Sequence, residues 1–163
     1  MSTELANRSF MYVIIPVSTS VITSADVLLT EQDPFAYVNT LARYTPQEFY
    51  GVMIDTGASR RSTAGYGQYL AYKKISNIDI DIAQAGAINV QFGIGSTPSI
   101  GLITVNTPIG NVDFHVVKAD TPFLLCLKDM DTLRTYYNNV TDMLITLSAK
   151  LLVTRRFGYP FLL

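Results

Sequence analysis

The chain has 163 residues, about one domain, and its 48% hydrophobic and 15% charged content supplies a real core and excludes wholesale disorder. A net charge of −1 excludes a general electrostatic pull toward nucleic acid or an anionic membrane. One cysteine, Cys126, excludes an intrachain disulfide, and one histidine, His115, leaves a zinc site poorly supplied, so no cofactor, no metal and an intracellular, cytoplasmic setting are expected.

The first 45 residues carry no defensible chemistry and read as an N-terminal flank or linker. Ser9 to Ala25 is free of charge, but Pro16 with Ser18, Thr19, Ser20, Thr23 and Ser24 makes it too polar to span a membrane. Its Tyr12, Val13, Ile14, Ile15 and Val17 are β-prone. Val27 to Pro34 reads as a strand end and turn, and Phe35 to Tyr44 as a short helix. Thr45-Pro46-Gln47-Glu48 then leads into the stretch on which the reading turns.

That stretch is Phe49-Tyr50-Gly51-Val52-Met53-Ile54-Asp55-Thr56-Gly57-Ala58-Ser59. Val52-Met53-Ile54 predicts a buried strand that ends in Asp55, whereas most aspartates sit in solvated turns. Thr56 can hydrogen-bond and hold the turn. Gly57 permits close backbone approach or a positive φ. Ala58 and Ser59 are small enough to leave room for a substrate or a second subunit. The plainer alternative is a strand ending in an ordinary Asp-Thr-Gly hairpin turn.

Arg60 and Arg61 read as solvent-facing, and Gln68 to Lys74 as an amphipathic surface segment. Ile78-Asp79-Ile80-Asp81-Ile82 alternates strictly and predicts a strand with Asp79 and Asp81 on one wet face. From Ile88 the pattern is strand and turn: Ile88–Phe92, a Gly93-Ile94-Gly95-Ser96 tip, Ser99–Val105, a Thr107–Asn111 turn, and Val112–Val117. His115 falls on this last, alternating strand and is expected to be half-exposed. No helix follows Gly93-Ile94-Gly95, so it is no nucleotide loop. A glycine-rich hairpin tip suits a lid, with Ser99-Ile100-Gly101 as a second candidate and a plain structural hairpin as the alternative. Leu124-Leu125-Cys126 predicts an apolar strand end. Cys126 lacks an activating base nearby in sequence and is read as core. The short helix is expected near 129–137.

The Asp55-Thr56-Gly57-Ala58-Ser59 form resembles the catalytic loop of retroviral and retrotransposon aspartic proteases. Residues 43–140 together resemble the protease segment of copia-type retrotransposon polyproteins of filamentous fungi. The resemblance implies a mainly β, closed acid-protease (retropepsin-like) fold over 46–140. It makes Asp55 the catalytic carboxylate, with Thr56, Gly57, Ala58 and Ser59 supporting the loop and Thr56 locking two such loops together. It makes Gly93, Ile94, Gly95 and Ser96 the flap, and Leu124, Leu125 and Cys126 the strand behind the loop. Cys126 stands where the family has glycine. Thr154 to Pro160 is similar to the start of a zinc-binding pre-integrase segment, with Thr154 and Tyr159 in place of its histidines, so no zinc site is expected in the flank 141–163. The chain reads as a truncated or decayed copy of a longer polyprotein. With one Asp-Thr-Gly per chain, activity implies a homodimer acting on a peptide or polyprotein, with no nucleic acid or membrane partner. The alternative is a non-catalytic retropepsin-like remnant. A secreted pepsin-like enzyme is disfavoured, because such chains carry two loops of this type and a signal peptide.

Overall fold

The computed structural model describes residues 42–58, 60–92 and 95–163. The readings over 9–25 and 27–34, most of the helix read over 35–44, and Ser59, Gly93 and Ile94 lie outside the described residues. Ala42 to Tyr44 are described and are not helical.

The protein is mainly β. In chain order come β1 (Val52–Asp55), β2 (Ser62–Gly65), α1 (Tyr66–Ser76), β3 (Asn89–Phe92), β4 (Gly95–Thr107), β5 (Gly110–Val117), β6 (Phe123–Cys126) and α2 (Leu127–Thr132). There follow β7 (Tyr136–Asn138), β8 (Met143–Ile145), β9 (Lys150–Leu152), β10 (Thr154–Arg156) and β11 (Tyr159–Leu162). Among the described residues, eight strands form one sheet in the order β10-β11-β1-β6-β2-β5-β4-β3, and β7-β8-β9 form a second.

The central strands are the ones whose sequences lack alternation. All four residues of β6, Phe123 to Cys126, are buried, as are all four of β2, Ser62 to Gly65. Strands covered on both faces need apolar or small side chains at every position. β6 runs parallel to β1 and antiparallel to β2, and β2 runs parallel to β5. By contrast β4 buries Gly101, Ile103 and Val105 while Thr104 and Asn106 face water, the period-2 pattern of a half-covered strand. The core gathers on Phe123, whose ring lies 5.1 Å from Phe49, 5.5 Å from Tyr72 and 5.0 Å from Phe114.

Four expectations are corrected. There are two α-helices among the described residues, a stretch in which only the one near 129–137 was expected. α1 occupies the stretch read as a surface segment and buries Gln68, Tyr69 and Ala71. Its start is disguised by Gly65 and Gly67, which packing requires. A Cβ on Gly67 would lie 2.4 Å from the Tyr44 carbonyl oxygen, and one on Gly65 2.1 Å from that of Thr121. Second, the short helix spans Leu127–Thr132, earlier than 129–137; Arg134 turns left-handed (φ 51°) and ends it. Third, Ile78–Ile82 forms only an isolated bridge, Asp81 to Leu102. The Asp81 side chain accepts from Ala83 N at 3.0 Å and caps a single 3-10 turn, Ile82–Gln84, while Asp79 pairs with Lys73. Fourth, His115 is buried, at 7% exposure, between Thr63 and Leu102 of the neighbouring strands.

Residues 141–163, read as a flank, supply β8 to β11. β11 lies antiparallel beside β1, with Val52 opposite Leu162. Gly51 sits at φ +95° just before β1, and a Cβ there would meet the Leu162 carbonyl oxygen at 2.5 Å. Among the described residues, no helix is long and apolar enough to cross a membrane.

Candidate active site

β1 delivers Asp55 to the end of a strand whose Val52 and Ile54 are buried. The parallel register sets Met53, Ile54 and Asp55 beside Leu124, Leu125 and Cys126. The chain then turns at once, and the aspartate itself closes the turn. Its Oδ1 accepts from Gly57 N at 3.0 Å and from Ala58 N at 3.2 Å, and its backbone oxygen also accepts from Ala58 N at 3.2 Å. This is an Asx-type turn, in which a short carboxylate captures backbone donors two and three residues ahead. Asp55 is half-buried, while Thr56 and Gly57 are exposed.

The reason for glycine at 57 is therefore room. Its φ is not in the left-handed region, but a Cβ there would stand 3.2 Å from Asp55 Oδ1 and press on the carboxylate. The loop is tied down on its far side, where Ala58 O accepts from Leu127 N at 2.8 Å.

Behind the loop lies a closed set of hydrogen bonds with no counterpart in the sequence reading. The Ser62 hydroxyl donates to Asp129 Oδ2 at 2.6 Å and accepts from Cys126 N at 3.0 Å. The Cys126 thiol donates to the same Oδ2 at 3.3 Å and accepts from Asp129 N at 3.4 Å, so it caps α2. Cys126 is fully buried. Burial pushes its thiol pKa up, which keeps it protonated and unreactive at neutral pH. One local pattern could have revealed this set: a capping side chain at 126 followed three residues later by an acid at 129.

A cavity of about 390 Å³ opens beside this set, lined by Arg61, Ser62, Asp113, His115 and Asp129 among others; Asp55 is not part of its lining. His115 Nδ1 is buried without a partner among the described residues. Burial, then the nearby Arg61 charge, holds the His115 pKa below its ordinary value, while Asp113 and Asp129 pull the other way. Among the described residues no cluster of three His, Cys, Asp or Glu could hold a metal.

Of the residues expected to form the flap, Gly95 and Ser96 begin β4 and pair with Phe92 and Gln91 of β3. The second flap candidate is corrected. Ser99 to Gly101 forms a bulge inside β4, and Gly101 (φ +150°) sits under Ile80 and Asp81 rather than at a hairpin tip.

Gln68 is a further buried polar residue that sequence reasoning missed. Its Oε1 accepts from Tyr50 N at 3.0 Å, and its Nε2 donates to the Thr45 and Glu48 carbonyls at 2.8 Å each. It binds residues 45–50 to α1 immediately ahead of β1.

No family model matches the chain. No curated protein matches it. The crystal structure of the retroviral protease-like domain of Ddi1 from Leishmania major is similar at 16% identity, over 67% of this chain and 81% of that one, with a TM-score of 0.42.

Proposed function

We propose that the chain is a retropepsin-like aspartic endopeptidase domain that hydrolyses peptide bonds as a homodimer. The observation that carries this is the Asp55 turn. A strand-end carboxylate is held at Oδ1 by two backbone N–H groups of its own loop, and that loop is pinned to α2 through Ala58 and Leu127. Backbone donors hold a carboxylate in one orientation, which positioned proton transfer requires.

One Asp-Thr-Gly per chain means that a second carboxylate comes from a second copy, across a two-fold axis. Two carboxylates in close contact cannot both ionise, so they share one proton and titrate as a unit. The ionised member takes a proton from a bound water. The water oxygen attacks the scissile carbonyl carbon, and the protonated member donates to the developing oxyanion. Gly57, exposed beside the carboxylate, offers its carbonyl to an extended peptide. The β3–β4 hairpin serves as the flap. The substrate is a polypeptide; that it is the parent polyprotein of a copia-type element follows from the sequence resemblance alone, and an intracellular site of action from the single cysteine.

A second reading, a non-catalytic domain of the same fold, is favoured by Cys126 in place of glycine beside Asp55. The two readings part in one experiment. Peptidase activity of residues 1–163 is measured against a peptide library between pH 4 and 7, beside Asp55→Asn. The endopeptidase reading expects cleavage that falls by about a thousandfold or more in the variant and whose rate per chain drops on dilution. A folded monomer that cleaves nothing at high concentration would establish the non-catalytic domain.

A further inference from the structure

We infer that Asp129 is a positioning residue for the Asp55 loop, acting through the Ser62 hydroxyl and the Cys126 thiol. The inference rests on the endopeptidase reading for its functional consequence, but its geometry stands independently of that reading.

The three side chains come from three elements: Ser62 opens β2, Cys126 ends β6, and Asp129 lies in the first turn of α2. Their separations in sequence, 67 residues from Ser62 to Asp129 and 64 from Ser62 to Cys126, mean that only the folded sheet brings them together. A hydroxyl has one proton to donate. Ser62 commits it to Asp129 Oδ2, which fixes the lone pairs that receive Cys126 N. The thiol likewise has one proton, and it goes to the same Oδ2 while the sulfur receives Asp129 N. A single carboxylate oxygen thus orients both groups.

The chain of contact from there to Asp55 is short. Cys126 is the register partner of Asp55, and the next residue, Leu127, donates its backbone N–H to Ala58 O. Ala58 N in turn donates to Asp55 Oδ1. Four successive contacts run from Asp129 to the reactive carboxylate: carboxylate to hydroxyl and thiol, these to the Cys126 backbone, Leu127 to Ala58, and Ala58 to Asp55. With the Asp129 acceptor oxygen removed, Ser62 and Cys126 are free to turn, and the Cys126–Leu127 peptide loses the anchor that holds Ala58. Cys126 is thereby a built part of the site at a place where an unbranched, fully buried side chain that both donates and accepts is needed. Serine is its nearest mimic, whereas alanine and glycine provide neither bond.

Amide hydrogen exchange tests the geometry, and steady-state kinetics its consequence. Asp129→Ala is expected to raise exchange at Cys126, Leu127 and Ala58 by about tenfold, with the β4–β5 amides of Ile103 and Val105 unchanged. Asp129→Asn, whose amide oxygen still accepts from Ser62, is expected to restore most of the protection, and Cys126→Ser to keep it. In a chain with peptidase activity, Asp129→Ala lowers kcat with KM little changed, and Asp129→Asn recovers it. Exchange that rises equally at Ile103 and Val105, or that does not change at Ala58 and Leu127, would overturn the inference. If the wild-type chain shows no peptidase activity, the functional reading fails, and exchange alone still decides whether Asp129 holds the loop.

Discussion

Two buried polar assemblies flank β1, and they are built differently. Upstream, Gln68 holds residues 45–50 with a neutral amide that satisfies three backbone groups and has no exposed surface of its own. Downstream, the Asp55 loop is backed by a hydroxyl, a thiol and a carboxylate, and two of these, Ser62 and Asp129, also face a cavity. A closed neutral amide is a means of stability: every partner is met and nothing can titrate. The Asp129 carboxylate, at the edge of a cavity, instead backs a loop that begins at another carboxylate, Asp55. The contrast predicts that damage upstream acts on folding, and damage downstream on the geometry of Asp55.

The largest effect should come from breaking the upstream assembly. Gln68→Leu fills similar volume but leaves Tyr50 N–H and the Thr45 and Glu48 carbonyls without partners. Each unmet buried group costs on the order of 1–3 kcal/mol, and water reaching the outer ones softens the sum, so a loss of about 3 kcal/mol is expected. Thermal unfolding should show a midpoint lower by roughly 10 °C, with any peptidase activity of the remaining folded protein unchanged per molecule. A variant of near wild-type stability would show that Gln68 merely occupies space.

Gly57→Ala sharpens the comparison from the other side. The new methyl group meets Asp55 Oδ1 at 3.2 Å on an exposed turn. The carboxylate must shift by a few tenths of an ångström, and the stability change should stay near 1 kcal/mol. On the proposed mechanism catalysis depends on the position of that oxygen, so kcat should fall by about tenfold or more. A loss of stability as large as that of Gln68→Leu, with kcat retained, would reverse the roles assigned to the two regions.

The same division explains what the sequence revealed. The Asp55 loop is legible because its determinants are adjacent: three apolar residues, an acid, and small residues within one turn. The β4–β5 hairpin is legible for the same reason, with Thr107 and Gly110 closing a two-residue turn at Pro108-Ile109. The Gln68 assembly is hidden because a glutamine in a Gly- and Tyr-rich stretch carries no mark of burial until the Thr45 and Glu48 carbonyls, 23 and 20 residues away, arrive beside it. β11 is hidden because its reason for being a strand is β1, more than a hundred positions earlier. Ile78–Ile82 misleads in the opposite sense. Its alternation suits a strand, but only Asp81 finds a partner in β4, and the capping side chain of Asp81 turns the chain into a 3-10 turn instead.

The smallest predicted effect concerns His115, which lines the cavity beside the downstream assembly. Burial and then Arg61 favour its neutral form in the folded protein, so its folded pKa lies below the ordinary 6.5. The sign follows from proton counting. Above pH 6.5 the ring is neutral in both states, and its contribution to stability is fully present. As pH falls below 6.5 the unfolded chain takes up the proton first, and that contribution shrinks until the folded pKa is passed and both states are charged. Denaturant midpoints at pH 7.5 and 5.5 should therefore differ more for the wild-type chain than for His115→Gln, which carries no titrating ring. Arg61→Ala should narrow the difference by letting the folded pKa rise, because Asp113 and Asp129 are then opposed by burial alone. An equal drop in wild type and His115→Gln would show that His115 does not carry the pH dependence of stability.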